Sequence, residues 1–162
     1  MLDIPSITGI VAALGVLVGV VLTVVELRNI TKTRQMELIM SIYSLFTTRQ
    51  YMEAWEKLRT REAKDYDGYV KKHGLTDLMQ VASLFEGLGF LLHKKFLHID
   101  LARELMNEST KMAWEKVEPV VEDARERLSQ RKPGEYIPVY QWFEYLYNEM
   151  QKREQSLQQV QQ

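Results

Sequence analysis

The sequence contains no cysteine and only four prolines in 162 residues. Without thiols the chain has no disulfide, no thiolate nucleophile, no iron–sulfur cluster and no zinc site with sulfur ligands. The absence of cysteine is consistent with a reducing cytoplasm. Neither sign of charge dominates, since 21 basic residues stand against 22 acidic ones. The composition therefore gives no reason to expect a nucleic acid partner.

The sequence also lacks the motifs that usually carry catalysis or cofactor binding. It has no HExxH, no GxSxG and no Walker loop. Two of the three histidines, His93 and His98, are five residues apart, whereas two ligands on one helical face require a spacing of four. We therefore predict no catalytic residue, no cofactor and no metal site, and we expect a protein that is not an enzyme.

One long apolar run stands out from this average composition. Residues 4–25 include no charged side chain, and Asp3 and Glu26 flank them. As a helix the run would be roughly 33 Å long, which matches a hydrocarbon core of about 30 Å. A buried core helix rarely lacks a polar face over such a length, and a cleaved signal peptide needs a basic beginning and a small-residue cleavage site. The run predicts an N-terminal transmembrane anchor over residues 1–27.

Basic residues follow the apolar run but do not precede it. Arg28, Lys32 and Arg34 come directly after it. By the positive-inside rule, the N-terminus is expected outside the cell and the rest of the chain in the cytoplasm. The predicted partners are thus the lipid bilayer and, for the cytoplasmic part, another protein.

Small residues recur along one face of the predicted span: Ala12, Gly15, Gly19 and Thr23. Such a groove lets two helix backbones approach closely, so it indicates a homo-oligomer. The alternative is that glycine is simply common in membrane helices. Glu26 follows near the same face, where it would form an acidic ring at a pore mouth in an oligomer or pair with a nearby basic residue.

The remainder of the chain is predicted to be all-α. Apolar residues recur at steps of three and four from residue 28 to 60, which predicts a juxtamembrane amphipathic helix that continues the span as a stalk. Residues 61–150 are expected to complete a small helical bundle with it, and residues 151–162 form a glutamine-rich tail. Proline within a helix removes a hydrogen bond, so Pro119 is expected to kink or divide its helix.

One charged residue lies within an apolar stretch. Glu86 is surrounded by Phe85, Leu88 and Phe90 in the sequence, and an unpaired carboxylate would be costly to bury there. We expect an ion pair with Arg125 or, as a second choice, with Arg103. The alternative is a glutamate on the wet edge of its helix.

Aromatic residues are concentrated in the later helices, and Trp114, Tyr140 and Trp142 are candidates for a pocket or a partner surface. Three functions are open at this point. The first is a membrane-anchored, self-associating interaction or regulatory module. The second is an oligomeric pore or membrane-perturbing effector gated by its cytoplasmic domain. The third is a small-molecule sensor with a pocket between the helices around Glu86, Trp114 and Tyr140.

Several short segments of the later chain form a recognisable set: 85–89 (FEGLG), 99–101 (IDL) and 140–144 (YQWFE), with Trp114 and Pro119 and an arginine at Arg125 or Arg127. This set resembles the segments of a family of small, uncharacterised prokaryotic proteins. The resemblance implies one N-terminal span and a cytoplasmic helical domain of unknown function, and it implies no activity.

Overall fold

A computed structural model describes residues 4–62, 64–132, 134–135 and 138–160, with side chains described from residue 15 onward except at 31, 32, 35 and 160. The predicted all-α class is confirmed: the described residues form helices and no strand. The helices are α1 (Ile4–Phe46), α2 (Arg49–Thr60), α3 (Tyr66–His73), α4 (Thr76–His93), α5 (Ile99–Arg131) and α6 (Gln141–Val160).

The chain divides into two compact units between Ser44 and Leu45. The first unit consists of α1 up to Ser44. Its large apolar side chains between residues 16 and 30 are exposed, with exposed fractions from 43% at Val24 to 66% at Val16. Among the residues described here, no helix combines the length and the apolar character needed to cross a bilayer. Residues 4–14, the first half of the predicted span, have side chains outside the described part of the chain.

The helix predicted over residues 28–60 is divided in two. α1 ends at Phe46, and Thr48 begins α2 because its hydroxyl accepts a hydrogen bond from the N–H of Tyr51 at 3.3 Å. A threonine at this position satisfies one of the N–H groups that a helix start leaves without a partner. The apolar periodicity continues across this break, which explains why the sequence pattern predicts one helix.

The second unit, residues 45–162, has its core around α4. Val81, Ala82 and Phe85 are fully buried on this helix. The ring of Phe85 stacks on Phe143 of α6 with 4.8 Å between centroids, and Trp114 of α5 meets Phe143 edge-on at 5.0 Å. α4 packs against α2, α5 and α6, so this apolar face joins the bundle.

Pro119 does not divide its helix. α5 continues through Pro119, and its one non-helical residue is Met106, with φ −147° and ψ 19°. Proline lacks the N–H that would bond the carbonyl of Glu115, but Glu115 is exposed, so water can take the place of that donor. α5 therefore consists of two helical segments that meet at Met106.

Candidate functional site

The most elaborate polar arrangement of the second unit lies where α6 begins. We call it the α4–α6 junction and define it as residues 85–89 of α4 with residues 139–144. Glu86 is half-buried, and its Oε2 accepts a hydrogen bond from the N–H of Phe143 at 2.8 Å. The first N–H groups of a helix have no partner within it. Glu86 therefore caps α6 from a neighbouring helix.

The electrostatics of Glu86 follow from this position. Burial raises the pKa of its carboxyl group, whereas the N–H groups of Phe143 and Trp142 and the positive charge of Arg125 act in the opposite direction. The partly positive start of α6 also favours a negative charge. Burial is the largest of these effects, so the pKa of Glu86 remains above its ordinary value.

Arg125 lies near Glu86 but directs its hydrogen bonds elsewhere. Its Nε and Nη2 donate to the carbonyl oxygen of Val139 at 3.0 and 2.7 Å, and its Nη1 donates to Oε2 of Glu144 at 2.7 Å. No ion pair between Arg125 and Glu86 occurs in the part of the chain that the structure describes. Arg103, the second choice, has a buried Nε without a partner among those residues. Arg125 thus connects α5 to Val139, which precedes α6, and to Glu144 in the first turn of α6.

Two backbone features allow this close packing. Gly89 faces the peptide of Trp142, and a Cβ atom at position 89 would overlap the carbonyl group of Trp142. Tyr140, directly before α6, has φ 50°, in the left-handed region that non-glycine residues seldom adopt. Burial raises the pKa of the Tyr140 hydroxyl, which also forms a hydrogen bond with Ser83. The junction is therefore fixed by steric fit as well as by hydrogen bonds.

The three predicted pocket or surface aromatics take separate positions. Trp114 is buried in the core, and its Nε1 donates to Glu118 at 3.2 Å. Trp142 lies half-exposed on the surface. The centroid of its ring is 4.2 Å from the ring centroid of His93 and 6.1 Å from that of Phe90. Tyr140 lines a cavity. Of these three side chains, Tyr140 alone belongs to the wall of that cavity.

That cavity has a volume of about 310 Å³ and lies among α3, α4, α5 and the residues before α6. Its wall is mostly apolar, and its charged members are Asp67, Arg127 and Arg131. The guanidinium group of Arg127 forms ion pairs with Asp67 of α3, at 2.6 Å, and with Asp123 of α5, at 3.1 Å. The wall includes neither Glu86 nor Trp114. Its size is at the lower end of the roughly 300–1,000 Å³ typical of ligand pockets.

The predicted association face on α1 is partly described. Gly15 and Gly19 are exposed, and a Cβ atom at either position would have no atom within 4 Å. The hydroxyl of Thr23 donates to the carbonyl oxygen of Gly19 at 2.8 Å, which places Thr23 on the same face. Glu26 is exposed. Ala12 has a side chain outside the described residues.

The junction offers little for catalysis. The carboxylate of Glu86 binds a backbone N–H, and the guanidinium group of Arg125 binds a backbone carbonyl oxygen and the side chain of Glu144. None of these three charged side chains lines the cavity. Among the residues whose positions are described, no three histidine, aspartate or glutamate side chains gather as metal ligands. The contacts at the junction fix the orientation of α6 where this helix begins.

Sequence reasoning identified Glu86 and Arg125 but not what they bind. The partner of Glu86 is a backbone N–H that lies 57 residues further along the chain. A backbone group has no signature of its own in the sequence. The available signal was the pair of apolar segments 85–89 and 140–144, on which the resemblance rests, and these are the segments that meet at the junction.

Comparison with known proteins gives one match. No curated protein and no solved structure matches the chain. The sequence profile of a domain of unknown function, DUF4760, matches residues 10–150. This bears out the resemblance to a family without an assigned activity, while the single span and the prokaryotic origin stay predictions. Because the match covers most of the 162 residues, the chain belongs to the DUF4760 family.

Proposed function

We propose that this protein is a membrane-anchored helical interaction module that self-associates through α1 and has no catalytic activity. One observation carries the proposal: the apolar side chains of α1 between residues 16 and 30 are exposed. Proteins in water rarely expose so continuous an apolar surface, which needs lipid or another copy of the helix to cover it. With residues 4–14 counted from the sequence, the uncharged run is long enough for a span.

In this proposal the N-terminus is outside the cell and the second unit lies in the cytoplasm, where it presents a helical surface to a protein partner. The basic residues Arg28, Lys32 and Arg34 support this orientation. The absence of a catalytic motif from the sequence supports a binding role rather than an enzymatic one.

Self-association is tested with substitutions on the face of small residues. Gly15→Leu and Gly19→Leu are suited to this test, because a side chain at either position has open space within the chain itself. Any effect therefore reports on contacts with another molecule. Val21→Leu is the matched control, since residue 21 follows Gly15 by about 240° around the helix axis.

We expect the full-length protein to remain in membranes after alkaline carbonate extraction and to be an oligomer in mild detergent, as measured by light scattering. Gly15→Leu and Gly19→Leu should shift it toward the monomer, and Val21→Leu should not. Release by carbonate would contradict the anchor. A monomer unaffected by all three substitutions would contradict self-association, and ion flux through reconstituted protein would favour the pore instead.

The cavity supports a second candidate function, a small-molecule sensor. Its apolar wall includes Leu78, Val121 and Leu128, and the exposed Arg131 is one of its charged members. A compact apolar ligand with one polar group would match this lining. The test is a ligand screen by thermal shift on the full-length protein, because a ligand that binds only the folded state raises its melting temperature. Ala124→Phe, which fills the cavity, should abolish the shift of a true ligand.

A further inference from the structure

The connection between α4 and α5 has an unusual surface for a solvent-exposed turn. We call residues 93–98 (HKKFLH) the basic corner. Phe96 has 63% of its surface exposed, and Phe90, one turn before the corner, has 42% exposed. Lys94 and Lys95 are exposed, and neither forms an ion pair with any residue that the structure describes. The corner thus combines exposed apolar rings with two available positive charges.

The corner is held in a defined conformation. Lys95 has φ 61°, and the N–H groups of Phe96 and Leu97 both donate to the carbonyl oxygen of Leu91, at 2.9 and 3.2 Å. Leu97 is buried, with 3% of its surface exposed. This hydrogen-bonding pattern is typical of a helix C-terminus that turns sharply. Because Leu97 is anchored in the core, Phe96 is left facing outward.

The chain segment that forms the corner carries charge of one sign. Residues 87–99 contain no aspartate or glutamate. The nearest following acid, Asp100, is occupied by Arg153, whose Nε and Nη2 donate to it at 2.6 and 3.2 Å. The ammonium group of Lys94 lies 5.7 Å from the centroid of the Phe90 ring. An anionic surface would therefore meet two lysines that form no ion pair with a described residue.

The corner also lies at a particular end of the second unit. α2 and α4 run antiparallel, because Lys57 and Arg61 near the end of α2 pair with Asp77 at the start of α4, at 3.2 and 2.9 Å. Phe46, just inside the second unit, contacts Phe85 with ring centroids 5.9 Å apart. α4 continues about 12 Å beyond Phe85. The corner is therefore at the same end of the second unit as Phe46.

We propose that the basic corner docks on an anionic phospholipid surface, with Phe96 in the headgroup region and Lys94 and Lys95 at the lipid phosphates. This inference rests on the proposed membrane anchor, which would tether the second unit to a bilayer. Aromatic rings flanked by lysines are suited to the membrane interface, because the ring gains an apolar environment while the ammonium groups stay with the phosphates.

The absence of cysteine makes a direct test practical, since a single introduced cysteine is the only labelling site. Phe96→Cys and, as the control, Met79→Cys are each labelled with an apolar nitroxide in the full-length protein. Met79 is 50% exposed and lies at the opposite end of α4. The labelled proteins are reconstituted in nanodiscs of phosphatidylcholine, with or without phosphatidylserine. Accessibility to oxygen and to a water-soluble nickel chelate is then measured by EPR.

We expect the label at position 96 to be accessible to oxygen and shielded from the nickel chelate in discs that contain phosphatidylserine. The label at position 79 should stay accessible to the chelate. When Lys94→Gln and Lys95→Gln are added, the label at position 96 should become accessible to the nickel chelate. Equal chelate accessibility at both positions would overturn the proposal, and so would shielding of both. Shielding of position 96 in native membranes but not in discs would indicate a protein partner instead and would also overturn it.

A failure of the anchor is distinguished from a failure of the corner. If the chain does not enter nanodiscs, the full-length protein is sedimented with phosphatidylserine vesicles. Each lysine near an anionic surface contributes about a fivefold change in binding, so the double lysine variant should bind roughly ten- to thirtyfold more weakly. Such a loss would support the corner without the anchor, whereas binding that is insensitive to phosphatidylserine or to both lysines would overturn it.

Discussion

At the scale of single residues, two glycines of α4 that are separated by one position have opposite environments. A Cβ atom at Gly87 would have no atom within 4 Å, whereas one at Gly89 would overlap the carbonyl group of Trp142. Gly87→Ala should stabilise the protein by about 0.5–1 kcal/mol, because alanine loses less backbone entropy in a helix. Gly89→Ala should destabilise it by about 1–3 kcal/mol through overpacking.

Urea unfolding of the two variants beside the wild-type protein measures both effects. The pair is its own control, since both substitutions add the same methyl group to the same helix. Equal changes of the unfolding free energy would contradict the close approach of α4 to the start of α6.

Glu86 provides a second prediction at this scale. Glu86→Ala should cost about 1–2 kcal/mol, as for the loss of a helix N-cap, because the N–H of Phe143 loses its acceptor. Glu86→Gln should cost less, because the amide retains an accepting oxygen and avoids the burial of charge. Thermal unfolding near neutral pH compares the two variants, and a Gln variant at least as unstable as the Ala variant would contradict the role of Glu86 as a cap.

The sign of the pH effect at Glu86 follows from its raised pKa. Between the pKa of the unfolded chain and the higher pKa of the folded one, the folded state binds more protons. The contribution of Glu86 to stability is therefore fully present below the unfolded value and is lost as the pH rises through the folded pKa. The free energy of unfolding of the wild type relative to Glu86→Gln should decrease across this interval, and an increase would contradict the effect of burial.

At the scale of elements, two aspartates connect helices and have the opposite pH dependence. The hydrogen bond from the Arg153 side chain lowers the pKa of Asp100. Hydrogen bonds from the Arg127 side chain and from the backbone N–H of Tyr66 lower the pKa of Asp123. Both groups stabilise the protein above their unfolded pKa, and this contribution is lost as the pH falls through the lower folded values. Asp100 joins α5 to α6, and Asp123 joins α3 to α5.

We therefore expect acid to weaken these connections below about pH 4, where ordinary aspartates become protonated. Asp123→Asn should be less stable than the wild type at neutral pH and should lose less stability on acidification. Glu53→Gln, at an exposed pair with Arg49, serves as the control. The free energy of unfolding from pH 7 to pH 2 measures the difference, and parallel curves for wild type and Asp123→Asn would contradict it.

The existence of the helices was predictable from the sequence, but their limits were not in every case. Periodicity is a local property, and it predicts helical structure over residues 28–60 without marking the break between α1 and α2. The break at Thr48 interrupts no periodic pattern, and Pro119 lies in a helix that continues. Whether a helix bends depends on which carbonyl groups can find water or other donors, and that is decided by packing.

At the scale of the whole molecule, α4 is the helix that joins the second unit, because it packs against α2, α5 and α6 and buries Val81, Ala82 and Phe85 completely. Amides that open only on global unfolding exchange most slowly. We expect the slowest hydrogen exchange in α4 near these residues, as measured by mass spectrometry of the full-length protein. Slower exchange throughout α3 would contradict this assignment.

The sequence alone was sufficient for the all-α class, the uncharged run over residues 4–25 and the unusual place of Glu86 within an apolar stretch, because each follows from local composition or spacing. The tertiary structure decided what Glu86 and Arg125 bind, why Gly89 carries no side chain and where the cavity lies. Those features depend on backbone groups and surfaces that meet only after folding, from segments up to 57 residues apart. Backbone groups are the same at every residue, so no sequence pattern marks the ones that become partners.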